Sequence, residues 1–288
     1  MLDFAQYLFK YHKFFILIPI TFLFVSIFAI LIQYSQTGEF FLRSIEMKGG
    51  TLITLNTEEQ LDIAYIQNLL KQKFQPINVR EIRSFSGYRT IIETSSEVKA
   101  EEILDELEKN RIDTSNANIE SIGPSLGTSF WQQAQIAIIV AFVFMALVVF
   151  VIFRTFVPSL AIVLCAISDI LMTLGFMQIF GVELSLAGLA AILMLIGYSV
   201  DTDILLTSRL LKETEEKALE KRLKSAMKTG LTMTLTSIGA LFSLLLINIS
   251  PVITQIATIL FIGLSFDIMN TWITNSLILK WYVEKRMR

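Results

Sequence analysis

Six long apolar runs constrain this chain more than any other feature. About 30 Å of hydrocarbon needs about 20 helical residues to cross it. Stretches of that kind lie near 14–33, 132–153, 157–180, 184–206, 230–248 and 252–279. In lipid every backbone N–H and C=O must find its partner within the protein, so such runs are read as spanning helices. No small-residue cleavage site follows the first run, which is succeeded by "YSQTGEFF" and reads as an anchor. What lies outside the runs narrows the chemistry. Cys165 is the one cysteine, so neither a disulfide framework nor a thiolate zinc site can be built. His12 is the one histidine, which removes His-based metal sites, Ser-His triads and HExxH proteases together. A net charge of −2 gives no reason to expect nucleic acid. No enzymatic activity, cofactor or metal is expected.

Orientation follows from lysine and arginine in the short connections. With the N-terminus inside, the cytoplasmic pieces hold Lys10 and Lys13, then Arg154, then seven basic residues in the loop 207–229, then Lys280, Lys285, Arg286 and Arg288. The short outer turns "FGVEL" and "INISP" hold none. The reading is a multi-pass protein of the cell membrane with both termini cytoplasmic and residues 36–131 outside. Its parts are an N-terminus and first helix (1–35), an outer domain (36–131) and a five-helix bundle (132–288).

Residues 34–131 are expected to form a separate domain. "GGTLITLN" alternates as a strand does, and "EEQLDIAYIQNLLKQKF" has a helical period. "INVREIRSFS" and "YRTIIETS" read as two strands joined near Gly87, "SEVKAEEILDELEKN" as a helix capped by Ser96, and "DTSNANIESIG" as a last strand. That order, β-α-β-β-α-β, is the ferredoxin-like split βαβ. The fold class is therefore six transmembrane α-helices plus one extracytoplasmic α+β domain. The loop segment 209–228 reads as a charged helix, either solvated at the lipid headgroups or serving as a docking surface.

Acids in the apolar runs are the candidate functional residues. A carboxylate in hydrocarbon costs roughly 2.5–3.5 kcal/mol on the mildest insertion scale. Asp201 and Asp203 sit together in "IGYSVDTDILL" and point in nearly opposite directions at 100° per residue. Asp203 shares a stripe with Ser199 and Thr207. Asp201 shares one with Gly197, Met194 and Ala190, small enough in part for close helix packing. Asp201 is the preferred proton carrier on that ground, with Asp203 expected to meet Lys228 or cytoplasmic water. Lys228, Thr232 and Thr236 form a polar face at the start of the fifth run. Asp169, with Thr173 one turn away, and Asp267, on a stripe with Asn270, Thr271 and Thr274, lie deeper. Each of these acids has a plainer reading as an interhelical hydrogen-bond partner or a snorkelling interfacial residue. Four carboxylates and one lysine over four runs favour a proton or ion path.

Four spaced motifs, "IEMKGGT", "IGPSLG", "ISDILMTLG" and "GYSVDTDILLTSRL", make the chain resemble, over nearly its whole length, the SecF family of protein-export membrane proteins. "IEMKGGT" (45–51) resembles that family's Asp-Phe-x-Gly-Gly-Thr, with Glu46 for the aspartate and Gly49, Gly50 and Thr51 in place. "IGPSLG" (122–127) matches its Val-Gly-Pro-x-x-Gly through Gly123, Pro124 and Gly127. "ISDILMTLG" resembles the third-helix His-Asp segment, with Ser168 for the histidine and Asp169 as the aspartate. "GYSVDTDILLTSRL" resembles Gly-Tyr-Ser-x-Asn-Asp-Thr through Gly197, Tyr198 and Ser199. Aligned without gaps, Asp201 stands at the family's asparagine, Thr202 at the bacterial aspartate implied in proton coupling, and Asp203 at the hydroxyl residue. Lys228 stands at a bacterial arginine, and Asp267 with Asn270 resembles the archaeal branch.

The resemblance implies half of a resistance-nodulation-division architecture. Its partners would be a SecD-like subunit, the Sec translocon channel, the translocating preprotein and the lipid bilayer. The implied task is late or regulatory help in export, driven by a proton or sodium gradient. Half of a small-molecule or lipid exporter, and a non-conducting scaffold for SecD, remain as alternatives. An intramembrane aspartyl protease would need Tyr-Asp and Gly-x-Gly-Asp on adjacent runs, and the sequence has neither.

Overall fold

The computed structural model describes residues 2–57, 60–74, 76–84, 87–211, 216–247 and 250–287. Among them six helices are long and apolar enough to cross a membrane: His12–Thr37, Pro124–Phe153, Phe156–Ile179, Leu186–Leu211, Leu219–Ile247 and Pro251–Lys285. These are spans one to six. They coincide with the six apolar runs, and several extend beyond them because hydropathy marks only the part that matches lipid. The chain divides into two compact units, one of residues 1–42, 136–183 and 187–288, the other of residues 43–135 with 184–186.

In the helical unit, spans three and four form the centre. Of their most apolar windows 61% and 50% are buried, against 11% for spans two and five. A polar side chain on the inward face of either span therefore has protein around it. The helices cross at small residues, as they must where lipid supplies no hydrophobic drive between helices. Gly175 of span three lies against Ser26 of span one, Gly263 of span six against Leu195 of span four, and Gly230 of span five against the Trp272 ring. A Cβ at any of the three would collide. Phe22, Phe176 and Phe266 join spans one, three and six, with centroids 4.7 to 5.9 Å apart.

A short helix, Leu2–Lys10, precedes span one and buries Leu8 and Phe9 among Leu206, Leu210, Leu219, Leu223 and Leu279. The charged segment 209–228 is not a helix of its own. Span four continues to Leu211, and one helix runs unbroken from Glu216 to Ile247; part of the segment, 212–215, lies outside the described residues. Leu219, Leu223, Ala226 and Met227 fall at helical spacing and are buried, so one face of the segment is core rather than solvated. The expected turn at "INISP" lies partly outside the described residues as well, and Pro251 opens span six at its first helical position, where its missing N–H costs nothing.

The second unit has the expected β-α-β-β-α-β order. Its strands are β1 Gly50–Thr57, β2 Ile77–Ser84, β3 Gly87–Thr94 and β4 Ala117–Ile122, with helices Ile63–Lys71 and Ala100–Lys109 between them. The sheet order is β2-β3-β1-β4 and every pair is antiparallel. This is the order of the split βαβ, in which each helix crosses over a strand that is filled in by the other half. Ile53, at the centre of β1, stands opposite Ile92 on one side and Ile119 on the other. Ile53, Leu55, Val79 and Ile92 pack on Ile66, Leu70, Ile103 and Leu107 of the helices. Asp62 caps the first helix by accepting the Tyr65 N–H at 3.0 Å. Ser96 does not cap the second. Ser95 Oγ accepts the Glu97 N–H at 3.2 Å, closing a turn that delays the helix until Ala100, with Lys99 at the capping position. The joint between β2 and β3 at 85–86 lies outside the described residues.

The second unit carries its own core, so residues 43–123 expressed alone are expected to unfold cooperatively in urea. Leu107→Ala, at a fully buried position, is expected to lower the unfolding free energy by about 2–5 kcal/mol. A non-cooperative or aggregated product would count against an independent fold.

Candidate functional site

Spans three, four and six bring three aspartates into one buried polar cluster. Asp169, Asp203 and Asp267 are each 0% exposed. Asp169 Oδ2 accepts from Ser199 Oγ of span four at 2.6 Å, and its Oδ1 accepts from Asn270 Nδ2 of span six at 2.7 Å. Asp203 Oδ1 accepts from Asn275 Nδ2 at 2.7 Å and from Thr271 Oγ1 at 2.9 Å. Asp267 has Thr202 Oγ1 at 3.3 and 3.2 Å from its two oxygens, and Thr271 Oγ1 at 3.2 Å. Thr271 therefore stands between two acids with one proton to give. It can donate to one carboxylate at a time, which links Asp203 to Asp267. Among the described residues no lysine or arginine pairs with any of the three acids. All their partners are neutral hydroxyls and amides.

Span six reaches these acids through a π-helical stretch, Asn270–Asn275. In an α-helix residues five apart lie about 140° from one another. The wider i→i+5 winding brings Asn270 and Asn275 onto one face, so both point at the acids. This is why Thr274, expected on the stripe of Asp267, is displaced from it. Thr274 is partly buried and reaches only Asn270 Oδ1, at 3.4 Å, while Asn275 takes the place at Asp203. Asn275 has no counterpart in a 3.6-residue reading, and the one local sign of it is the polar pair Thr274-Asn275 inside an apolar run.

The expected shielding of Asp201 and Asp203 is reversed. Asp201 is exposed within this chain, as are Ala190, Met194, Gly197 and Tyr198 of the same span. Nothing lies within 4 Å of where a Cβ on Gly197 would be. Asp203 is enclosed instead, because its side of span four faces span six. Lys228 is exposed and does not meet Asp203, which is bonded by Thr271 and Asn275. Thr232 and Thr236 are exposed as well, and each donates to a backbone carbonyl one turn back. Thr202 and Ser199 join the cluster, while Gly197 and Tyr198 of the same motif lie on the bare face.

The two glycine-bearing motifs meet each other within the second unit. Gly49 has φ +79° and Gly127 lies directly over its backbone, with Pro124 Cα 2.6 Å from where a Gly49 Cβ would stand. Two backbones can approach this closely only without side chains. Gly50 runs into β1, where a Cβ would meet the Thr94 carbonyl at 2.7 Å. Thr51 Oγ1 and Ser121 Oγ are 3.1 Å apart across β1 and β4. Gly123 precedes Pro124, the first residue of span two. Glu46 Oε2 accepts the backbone N–H of Leu186 at 2.6 Å. Leu186 opens span four, so Glu46 satisfies an N–H that the helix leaves free, at the end its dipole makes positive.

Residues 102–285 match the family described as protein export membrane protein SecD/SecF, C-terminal. Protein-export membrane protein SecF of Methanocaldococcus jannaschii is 40% identical over 284 residues, which is 96% of this chain and 97% of that one. The Methanothermobacter thermautotrophicus SecF is 40% identical, covering 84% and 85%. The crystal structure of SecDF from Thermus thermophilus, a translocon-associated membrane protein, superposes on 94% of this chain with a TM-score of 0.78 at 19% identity. The match takes up 38% of that longer chain, and it shows a shared fold.

Asp169→Leu leaves Ser199 Oγ–H and Asn270 Nδ2–H without their acceptor. It is expected to destabilise the purified protein by about 1–3 kcal/mol, read as a lower unfolding temperature in detergent. Thr274→Val, at a position that makes only the long contact to Asn270, is expected to change it far less.

Proposed function

The chain belongs to the SecD/SecF family of protein-export membrane proteins, and on that footing we propose that it serves export by coupling a proton or sodium gradient to it, together with a SecD-like partner. It is an auxiliary membrane subunit of the Sec translocation machinery. The observation that carries the coupling reading is the buried cluster of Asp169, Asp203 and Asp267, whose partners among the described residues are neutral groups. Hydroxyls and amides by themselves would suffice to hold three helices together. Carboxylates cost far more to place in lipid, and what they add is the ability to take on a positive charge and give it up. Thr271, shared between Asp203 and Asp267, gives two of the acids a common donor. Any shift of charge at one is felt at the other through that hydroxyl.

The partner would take the bare side of span four, where Ala190, Met194, Gly197, Tyr198 and Asp201 are exposed. Small residues on that side suit close helix packing. Residues 36–131 would lie outside the cell, where a translocating preprotein emerges, and both termini inside. Asp201 belongs in this reading to the partner interface and not to the ion path, which replaces its preferred role as carrier. A scaffold role is the competing reading, and it is favoured by the fact that both oxygens of Asp169 already have donors.

In inverted or reconstituted vesicles, Asp203→Asn and Asp267→Asn are expected to abolish most of the stimulation of export by an imposed gradient, with the complex still assembled. Asparagine keeps volume and hydrogen bonding and loses only ionisation. Equal stimulation in wild type and both variants would leave the scaffold reading.

Gly197→Leu adds its side chain at an exposed position where a Cβ would have no described atom within 4 Å. It is expected to reduce co-purification of the SecD-like partner several-fold while leaving the unfolding temperature of the isolated chain within about 2 °C, as for a surface change. Undiminished co-purification would move the interface elsewhere.

A further inference from the structure

We propose that Asp203, Thr207 and Asn275 form a binding site for a single alkali cation, to be tested with Na+. Three oxygens of these residues have no hydrogen-bond partner among the described residues: Asp203 Oδ2, Thr207 Oγ1 and Asn275 Oδ1. All three residues are 0% exposed. They belong together in space. Asn275 Nδ2 holds Asp203 Oδ1 at 2.7 Å, which sets the amide oxygen of Asn275 beside the same carboxylate. Thr207 lies one turn after Asp203 on span four, on the same face. The three residues thus offer a carboxylate, a hydroxyl and an amide oxygen, from spans four and six.

The hydroxyl is unusual in its own chain. Several buried hydroxyls of the spans donate to the carbonyl one turn back, Thr173 to Asp169 O at 2.6 Å, Thr234 to Gly230 O at 3.1 Å and Ser276 to Trp272 O at 2.7 Å, and Ser199 and Thr271 donate to carboxylates. Thr207 does not. Asn275 Oδ1 can only accept, and so can Asp203 Oδ2 while its carboxylate is ionised, so in that state three oxygens share one available proton. A buried polar atom without a partner costs about 1–3 kcal/mol, and three of them on residues linked by one hydrogen bond and one helical turn call for a positive centre. No lysine or arginine supplies it among the described residues.

The donor set fixes the class of ion. Oxygen alone, with neither nitrogen nor sulfur, selects a hard cation over zinc or copper. One carboxylate balances one positive charge. A calcium ion takes six to eight oxygens, usually with several carboxylates, and those of Asp169 and Asp267 are already taken up by Ser199, Asn270, Thr202 and Thr271. The competing occupant is a water molecule, donating to Asp203 and Asn275 and accepting from Thr207.

The site deepens the coupling reading by naming an ion and its ligands, and it rests on that reading only in sharing Asp203. The test is equilibrium binding of radioactive sodium to the purified chain with its co-purified partner, at ionic strength held constant with choline chloride. Saturable uptake of roughly one ion per chain is expected, displaced by unlabelled Na+ and not by choline. Thr207→Val keeps the shape, removes one oxygen and breaks no hydrogen bond present in the structure. It is expected to weaken binding by about tenfold or more and to remove the rise in unfolding temperature that NaCl gives over choline chloride. Absence of saturable binding in the wild type, or binding unchanged by Thr207→Val, overturns the proposal and assigns the site to water. Neither measurement involves a gradient or export, so failure here leaves proton coupling standing, and failure of the export test leaves a bound ion standing.

Discussion

A carboxylate inside a bilayer survives only where neighbouring groups do what water would have done, and much of the helical unit is arranged to meet that demand at Asp169. Its two oxygens draw Ser199 from span four and Asn270 from span six onto span three. A charged or polar group of this kind cannot be satisfied by one helix alone, since an α-helix consumes its own backbone donors. The hydrogen bonds of Asp169 therefore specify which helices are neighbours and at what depth. The apolar contacts of the bundle, such as the Phe22, Phe176 and Phe266 cluster, fill space around that register without being able to set it, because one apolar face in lipid is much like another.

The π-helical stretch follows from the same demand. Asp169 and Asp203 lie on different spans, and a regular α-helix would turn Asn275 well away from the face that carries Asn270. Widening the helix over Asn270–Asn275 lets a single span serve both acids. It also puts Thr271 between Asp203 and Asp267. The distortion forfeits regular helical winding, and it is concentrated where the function proposed above needs a polar face broader than four residues can give.

In the second unit the governing constraint is steric. The stretches 45–51 and 122–127 pass so close that their contact is made by backbone, with Gly49 and Gly127 at the crossing. The carboxylate of Glu46, within the first stretch, meets the N–H of Leu186 where span four begins. Glycines that look like flexible punctuation in the sequence are here the price of a tight backbone crossing.

Periodicity was enough to find the six spans, the β-α-β-β-α-β order and the four intramembrane acids, because hydrophobic length and alternation are local properties that survive in the sequence unaltered. The motifs with Gly49, Gly50 and Gly127 could be recognised without being understood, since what these glycines avoid is a residue far along the chain. Which acid is enclosed was decided only by tertiary structure. Asp201 and Asp203 are equivalent by composition and depth, and their fates differ because the side of span four carrying Asp203 faces span six. Asn275 was hidden for a related reason: its face is set by a π turn, which no 3.6-residue period can anticipate. The charged segment 209–228 misled in the opposite sense, its charges masking Leu219, Leu223, Ala226 and Met227 on the buried side. Local sequence fixes what each helix is able to bury, and the partners that neighbouring helices supply decide which of those possibilities is used.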